Sequence, residues 1–215
     1  MIAMVPKELL NFRVDEGSNF NGVVVALVVD NKDSEERGRI KIKFPWMGDE
    51  AGTAWARLAT LMSGNDRGIV FYPEVNDEVL VAFEQGDVNY PYIIGALWNG
   101  KDKPPEKNSD GENNIKMIKT RSGHTIKIND KSGEEKIEII DKTKGNKITI
   151  DSANNKISLE SGGDIELSAS KGKIAIKAKE IEIKSSTSAK IEASSEMDLK
   201  ASATMKIKGS MVNIN

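Results

Sequence analysis

Residues 136–150 read KIEIIDKTKGNKITI, with isoleucine at 137 and 139 and again at 148 and 150. Side chains two apart on an extended chain share a face, so each pair makes one apolar patch with polar neighbours opposite. Between the pairs lies DKTKGN, whose Asp, Gly and Asn suit a turn. The unit recurs in both directions, as Ile126/Ile128 before it and Ile157/Leu159, Ile165/Leu167, Ile174/Ile176 and Ile181/Ile183 after it. It continues as Ala189/Ile191, Met197/Leu199, Met205/Ile207 and Val212/Ile214. The step is 11 residues twice, then 7 to 9.

A unit of this size cannot bury its apolar face alone, so units must stack. Single-chain solenoids repeat at six residues or above about 20, and neither period is present. No aromatic residue lies beyond Trp98 and no proline beyond Pro105, so one chain would have little core. Three chains wound on one axis remove the difficulty. Each strand then pairs with strands of the neighbouring chains, and the aliphatic side chains fill a narrow triangular interior. The expected trimer core is Ile126, Ile128, Ile137, Ile139, Ile148, Ile150, Ile157, Leu159, Ile165, Leu167, Ile174, Ile176, Ile181, Ile183, Ile191, Leu199, Ile207, Val212 and Ile214. Some 11 repeats, each one strand spacing along the axis, give a stiff shaft about 50–60 Å long. Residues 115–215 carry 19 Lys/Arg and 14 Asp/Glu, interleaved, which reads as a solvated outer face.

The first half differs. Of the chain's 31 basic and 33 acidic residues, positions 1–114 hold the remaining 12 and 19, a net of −7. Five strand-like runs occupy residues 20–30 (FNGVVVALVVD), 39–46 (RIKIKFPW), 53–60 (TAWARLAT), 78–84 (EVLVAFE) and 90–98 (YPYIIGALW). Five strands in about 80 residues with no amphipathic helix predict a small closed barrel, with the OB-fold leading. Phe44, Trp46, Trp55 and Phe83 alternate with polar residues and are expected in its core. Single-strand nucleic-acid binding needs exposed aromatics beside a basic groove, which an acidic domain with inward aromatics does not offer.

GRIKIKFPW at 38–46, Trp55-Ala-Arg, and RGIVFYPEVNDEVLVAFEQGDVNYPYIIGALWNG at 67–100 resemble the OB domain of VgrG and of phage baseplate assembly protein V. Asn76 stands where that family usually has Gly, and Asn tolerates the left-handed backbone the turn requires. The resemblance covers about residues 20–105 and implies an all-β chain. Its parts would be a hub-docking segment at 1–19, an OB barrel at 20–100, a linker at 101–114 and a triple-stranded β-helix at 115–215, formed only in a homotrimer. It implies the central, membrane-puncturing spike of a contractile injection machine, assembled in the cytoplasm and driven out on firing. A separate hub protein would meet Leu9, Leu10 and Phe12, although capping the barrel explains those three equally well. A PAAR-like tip protein would sit on Met211, Asn213 and Asn215.

Little chemistry is legible. There is no cysteine, and His124 in RSGHT is the lone histidine, expected to pack at the shaft entrance. No Gly-x-Ser-x-Gly, P-loop or Gly-x-Gly-x-x-Gly occurs. Asp77/Glu78 have no identifiable catalytic partner, and Gly162-Gly163-Asp164 reads as a corner. No metal, cofactor or catalytic residue is expected. The start, MIAMVPKE, does not have the form of a signal peptide, and no apolar run approaches the roughly 20 residues of a membrane span. The other readings are an OB-fold module for nucleic acid or glycan on a trimeric stalk, and a cell-wall hydrolase.

Overall fold

The chain was described by a computed structural model covering Phe20 and residues 22–47 and 52–213. Leu9, Leu10, Phe12, Ile214 and Asn215 lie outside the described residues. Among the described residues every regular element is a strand.

Strand β1 (Val23–Asp30) is VVVALVVD. Its β-branched side chains are stiff at χ1 and favour extended backbone. With β2 (Arg39–Lys43), β3 (Thr53–Leu58), β6 (Glu78–Glu84) and β7 (Asp87–Leu97) it closes a five-stranded barrel in the order β1-β2-β3-β7-β6. A two-stranded ribbon, β4 (Ser63–Gly64) and β5 (Arg67–Gly68), lies in the β3–β6 connection. All barrel pairings are antiparallel except β3 with β7, which meet in parallel at Arg57↔Tyr92 and Leu58↔Ile93. Irregularities between Val28 and Asp30, Leu80 and Val81, and Phe83 and Glu84 bend the strands enough for the sheet to close.

Alternation fills the interior. Ala26 and Val28, Ile40, Ile42 and Phe44, Ala56, Val79, Val81 and Phe83, and Ile93 form the buried core. Phe44, 2% exposed, lies 5.7 Å from both the Trp46 and the Phe83 rings, and Phe20 stacks over Trp46 at 5.9 Å. Trp55 departs from the core expected for it. Ala54 and Ala56 turn inward on β3, so the residue between them faces out, half-buried, with the Arg39 guanidinium 5.6 Å from its ring. Asn76 takes the left-handed backbone foreseen for it, φ 77°, and its N–H donates to the Val28 carbonyl.

Asp33 organises the β1–β2 turn. Its carboxylate accepts from the backbone N–H groups of Glu35, Arg37 and Arg39 and from the Arg39 guanidinium, at 2.9–3.2 Å. The guanidinium above all, and the amides with it, hold the Asp33 carboxyl well below its ordinary value. The folded group is therefore the stronger acid, and its stabilisation is present above the unfolded pKa near 3.8 and is lost as pH falls below that. Thermal melts of the wild type and Asp33→Asn should differ most at neutral pH and converge in strong acid. A gap that persists unchanged at low pH would show that the ionised Asp33 is not what holds the turn.

Strands β8 (Ile115–Lys119), β9 (Thr125–Asn129), β10 (Lys136–Ile140), β11 (Lys147–Asp151) and β12 (Lys156–Glu160) form a separate antiparallel meander in sequence order. Each of its four turns has one residue in the left-handed region, at Gly123, Gly133, Lys144 and Asn155. Here the chain departs from the expected pairing with neighbouring chains, because strands 115–160 pair with one another. The longer steps leave four to six residues between five-residue strands, enough to reverse the chain.

Residues from Gly163 onward make a second unit. Among its described residues there is no strand, and none outside glycine takes a positive φ. Without left-handed turn residues the chain does not fold back into hairpins, and every described residue of this unit is exposed.

Candidate assembly face

The meander's register lines its aliphatic side chains up across strands. Ile118, Ile126, Ile139, Ile148 and Leu159 make one row, and Ile128, Ile137, Ile150 and Ile157 the next. Only Lys116, opposite Ile128, is polar on this face. The opposite face carries Lys127, Glu138, Thr149 and Ser158 through its centre. There Glu138 is 5% exposed, its carboxylate 3.1 Å from the Lys147 ammonium and 3.6 Å from that of Lys136. Burial pushes the Glu138 carboxyl up, but Lys147, Lys136 and Lys127 outweigh it and hold it below its ordinary value. Glu138 is thus paired on this face, whereas the Thr149 hydroxyl, buried beside it in register, has no hydrogen-bond partner.

The aliphatic face is not covered. Its nine large side chains are 40–75% exposed. Burying one fully is worth about 1.5–3 kcal/mol, so covering the exposed half of nine contributes on the order of 10 kcal/mol per chain. That is comparable with the freedom lost when proteins associate. A soluble protein of this size does not leave so much aliphatic surface to water unless something covers it.

The expected core residues divide in two. Ile126, Ile128, Ile137, Ile139, Ile148, Ile150, Ile157 and Leu159 are brought together on this face, joined by Ile118, which the sequence reading passed over although it precedes Ile126 by the same eight-residue step that recurs later. Ile165, Leu167, Ile174, Ile176, Ile181, Ile183, Ile191, Leu199, Ile207 and Val212 are exposed on the second unit and pair with nothing in a ladder. Of the expected tip residues, Met211 and Asn213 are exposed. The ion pairs Lys184–Glu182 and Lys190–Glu192, both at 2.6 Å, sit in water on this unit, where such pairs contribute about 0–1 kcal/mol.

His124 corrects its expected packing role. It is exposed, and its Nδ1 accepts the backbone N–H of Lys142 at 3.2 Å, tying the β8–β9 turn to the β10–β11 turn. The carboxylates considered for hydrolysis are also in structural use. Asp77 accepts from the Glu74 N–H at 2.8 Å, and Glu78 from the Asn99 side chain at 3.3 Å. Among the described residues no three His, Asp or Glu side chains are grouped to hold a metal. No described helix is long and apolar enough to cross a membrane.

Comparison with known proteins places the barrel. Residues 24–98 match the family described as Type VI secretion system/phage-baseplate injector OB domain. The chain is similar to actin cross-linking toxin VgrG1 of Vibrio cholerae, 29% identical over 129 residues, which are 54% of this chain and 12% of that protein. It is similar to type VI secretion system spike protein VgrG2a of Pseudomonas aeruginosa, 33% identical over 93 residues, 40% of this chain and 11% of the relative. With spike protein VgrG1a of the same organism it shares 27% identity over 133 residues, 55% of this chain and 21% of the relative. The chain therefore spans a fifth or less of the length of most of these relatives.

Proposed function

Residues 24–98 match the injector OB-domain family of type VI secretion systems and phage baseplates, and from that premise we propose that the chain is the central spike of a contractile injection machine, acting as a homotrimer and without catalysis. The observation that carries this reading is the uncovered aliphatic face that follows the barrel. Three such faces turned toward one axis make a triangular prism whose interior is dry and whose charged faces point outward. The aliphatic residues of the second unit would be buried in the same way, against those of the other two copies. A closed prism has no free sheet edge along its length, which suits a part that must cross an envelope without unfolding.

The N-terminal segment with Leu9, Leu10 and Phe12 would then dock to a separate hub, and Met211, Asn213 and Asn215 would seat a separate tip protein. The particle would be assembled inside the cell and the spike expelled on contraction.

Nucleic-acid binding is not favoured by the aromatics that are exposed. Phe71 and Tyr72 lie in a stretch with Asp66, Glu74, Asp77 and Glu78 against Arg67, a field that repels phosphates.

Sedimentation equilibrium or mass photometry of the purified chain tests the proposal. Three chains of 23.5 kDa should appear as a species of about 70 kDa that persists on dilution. A folded, protease-resistant monomer would sink it.

A further inference from the structure

A ring of three identical subunits is closed by a heterologous contact, in which one patch on each copy meets a different patch on the next. Among the described residues the barrel exposes apolar side chains at several places, and two groups of them bear on this contact. One is the connection between β3 and β6, where Leu61 is 92% exposed and Val70 and Phe71 about two-thirds exposed. This connection is nevertheless tightly held. Ile69 N–H donates to the Met62 carbonyl at 3.0 Å, Thr60 Oγ1 to the Ile69 carbonyl at 2.7 Å, and Asn31 Nδ2 to the Pro73 carbonyl at 3.0 Å. The other patch is the outer side of β1. Val24, Ala26 and Val28 face the core side, and Val23, Val25 and Leu27 stand outside, 37–54% exposed. A strand apolar on both sides is built to be covered on both.

Position identifies the occupant. Glu74, at the end of the β3–β6 connection, is bridged at 2.6 Å to Arg121 in the β8–β9 turn of the meander. The connection therefore ends beside the base of the sheet whose aliphatic face is uncovered, in contact with it through an exposed ion pair. Bringing three sheets together brings three of these connections to the same level.

We infer that in the trimer the β3–β6 connection of each barrel, led by Leu61, Val70 and Phe71, packs on the outer side of β1 of the next copy, against Val23, Val25 and Leu27. The inference rests on the trimeric reading above and adds to it the contact that locks the barrels into a ring.

The absence of cysteine makes the test clean. Full-length Val25→Cys, Phe71→Cys and the double variant are treated with a short bismaleimide and resolved on denaturing gels, with assembly state followed in parallel. The expected result is covalent dimers and trimers from the double variant alone, since in a head-to-tail ring neither residue faces its own copy. A trimer whose double variant gives no covalent species overturns the inference and leaves the trimeric reading standing. In that outcome, thiols that label freely leave the patches to a different protein, and thiols that resist labelling show them covered by the chain's own N-terminal segment. Linkage of Val25→Cys alone also overturns it, by making the contact two-fold. A monomeric wild type removes both proposals together.

Discussion

Ile139→Asp is expected to leave the purified chain folded but monomeric. Ile139 stands on the central strand of the meander, between Ile126 and Ile148 in register, and is 48% exposed in the single chain. In an isolated chain the new carboxylate still reaches water, so barrel and sheet should keep their strand content. In the trimer it would be enclosed beside two copies of itself. Each buried carboxylate without a partner costs several kcal/mol, and three near one axis repel one another as well. Because the freedom lost on association already offsets most of the roughly 10 kcal/mol per chain that covering the face contributes, a penalty of several kcal/mol per chain removes what is left. The species of three chains should therefore disappear at micromolar concentration, and resistance to thermal unfolding and protease should fall with it. Lys142→Asp, in an exposed turn, is the control and should remain assembled. Ile181→Asp and Ile183→Asp apply the same test to the second unit. If Ile139→Asp stayed trimeric with an unchanged melt, the aliphatic face would not be the assembly face.

The second large effect belongs to the barrel. Phe44→Ala should destabilise it by about 3–5 kcal/mol, the usual loss for a phenylalanine removed from a packed core. Phe44 touches Trp46 and Phe83, and its backbone N–H is held by the Gly52 carbonyl at 2.8 Å, so the surroundings have little room to close over the cavity. All three tryptophans, Trp46, Trp55 and Trp98, lie before residue 99. Tryptophan fluorescence during denaturation therefore reports the barrel and not the shaft. Trp55→Ala removes a larger side chain from the outer face and should cost much less. Equal losses from the two substitutions would contradict the inward and outward assignment of these rings.

Much of this architecture is legible in the residues. Alternation gave the inward face of β2 directly, as Ile40, Ile42 and Phe44, and all five barrel strands could be read from apolar runs bounded by turn residues. It was ambiguous on β1, where VVVALVV is apolar at every position and periodicity cannot say which parity faces in. It misled at Trp55, because an indole can also lie flat on a sheet surface under a guanidinium, and its neighbours Ala54 and Ala56 are small enough to look like spacers. The apolar pairs from Ile126 to Leu159 were visible as a set, but their partners were not. A spacing specifies which side chains share a face, and the turn residues between them decide whether the next strand comes from the same chain. Asp33 was hidden for a related reason. Its five hydrogen bonds depend on how the turn closes, and one acidic residue among NKDSEERG carries no mark of that role.

The left-handed turn positions end at Asn155 among the described residues, and this divides the chain in the order of its folding. Before that point the meander pairs only strands adjacent in sequence, so it can form on the fast timescale of local contacts, whereas the barrel must first bring β6 to β1 and β7 to β3. Beyond Glu160 the described residues form no strand ladder, and under the trimeric proposal their ordering would wait for encounter with other copies, a step whose rate depends on concentration. In the proposed trimer, assembly would start where the prefolded sheets meet, and the second unit would order only on a properly matched set of three.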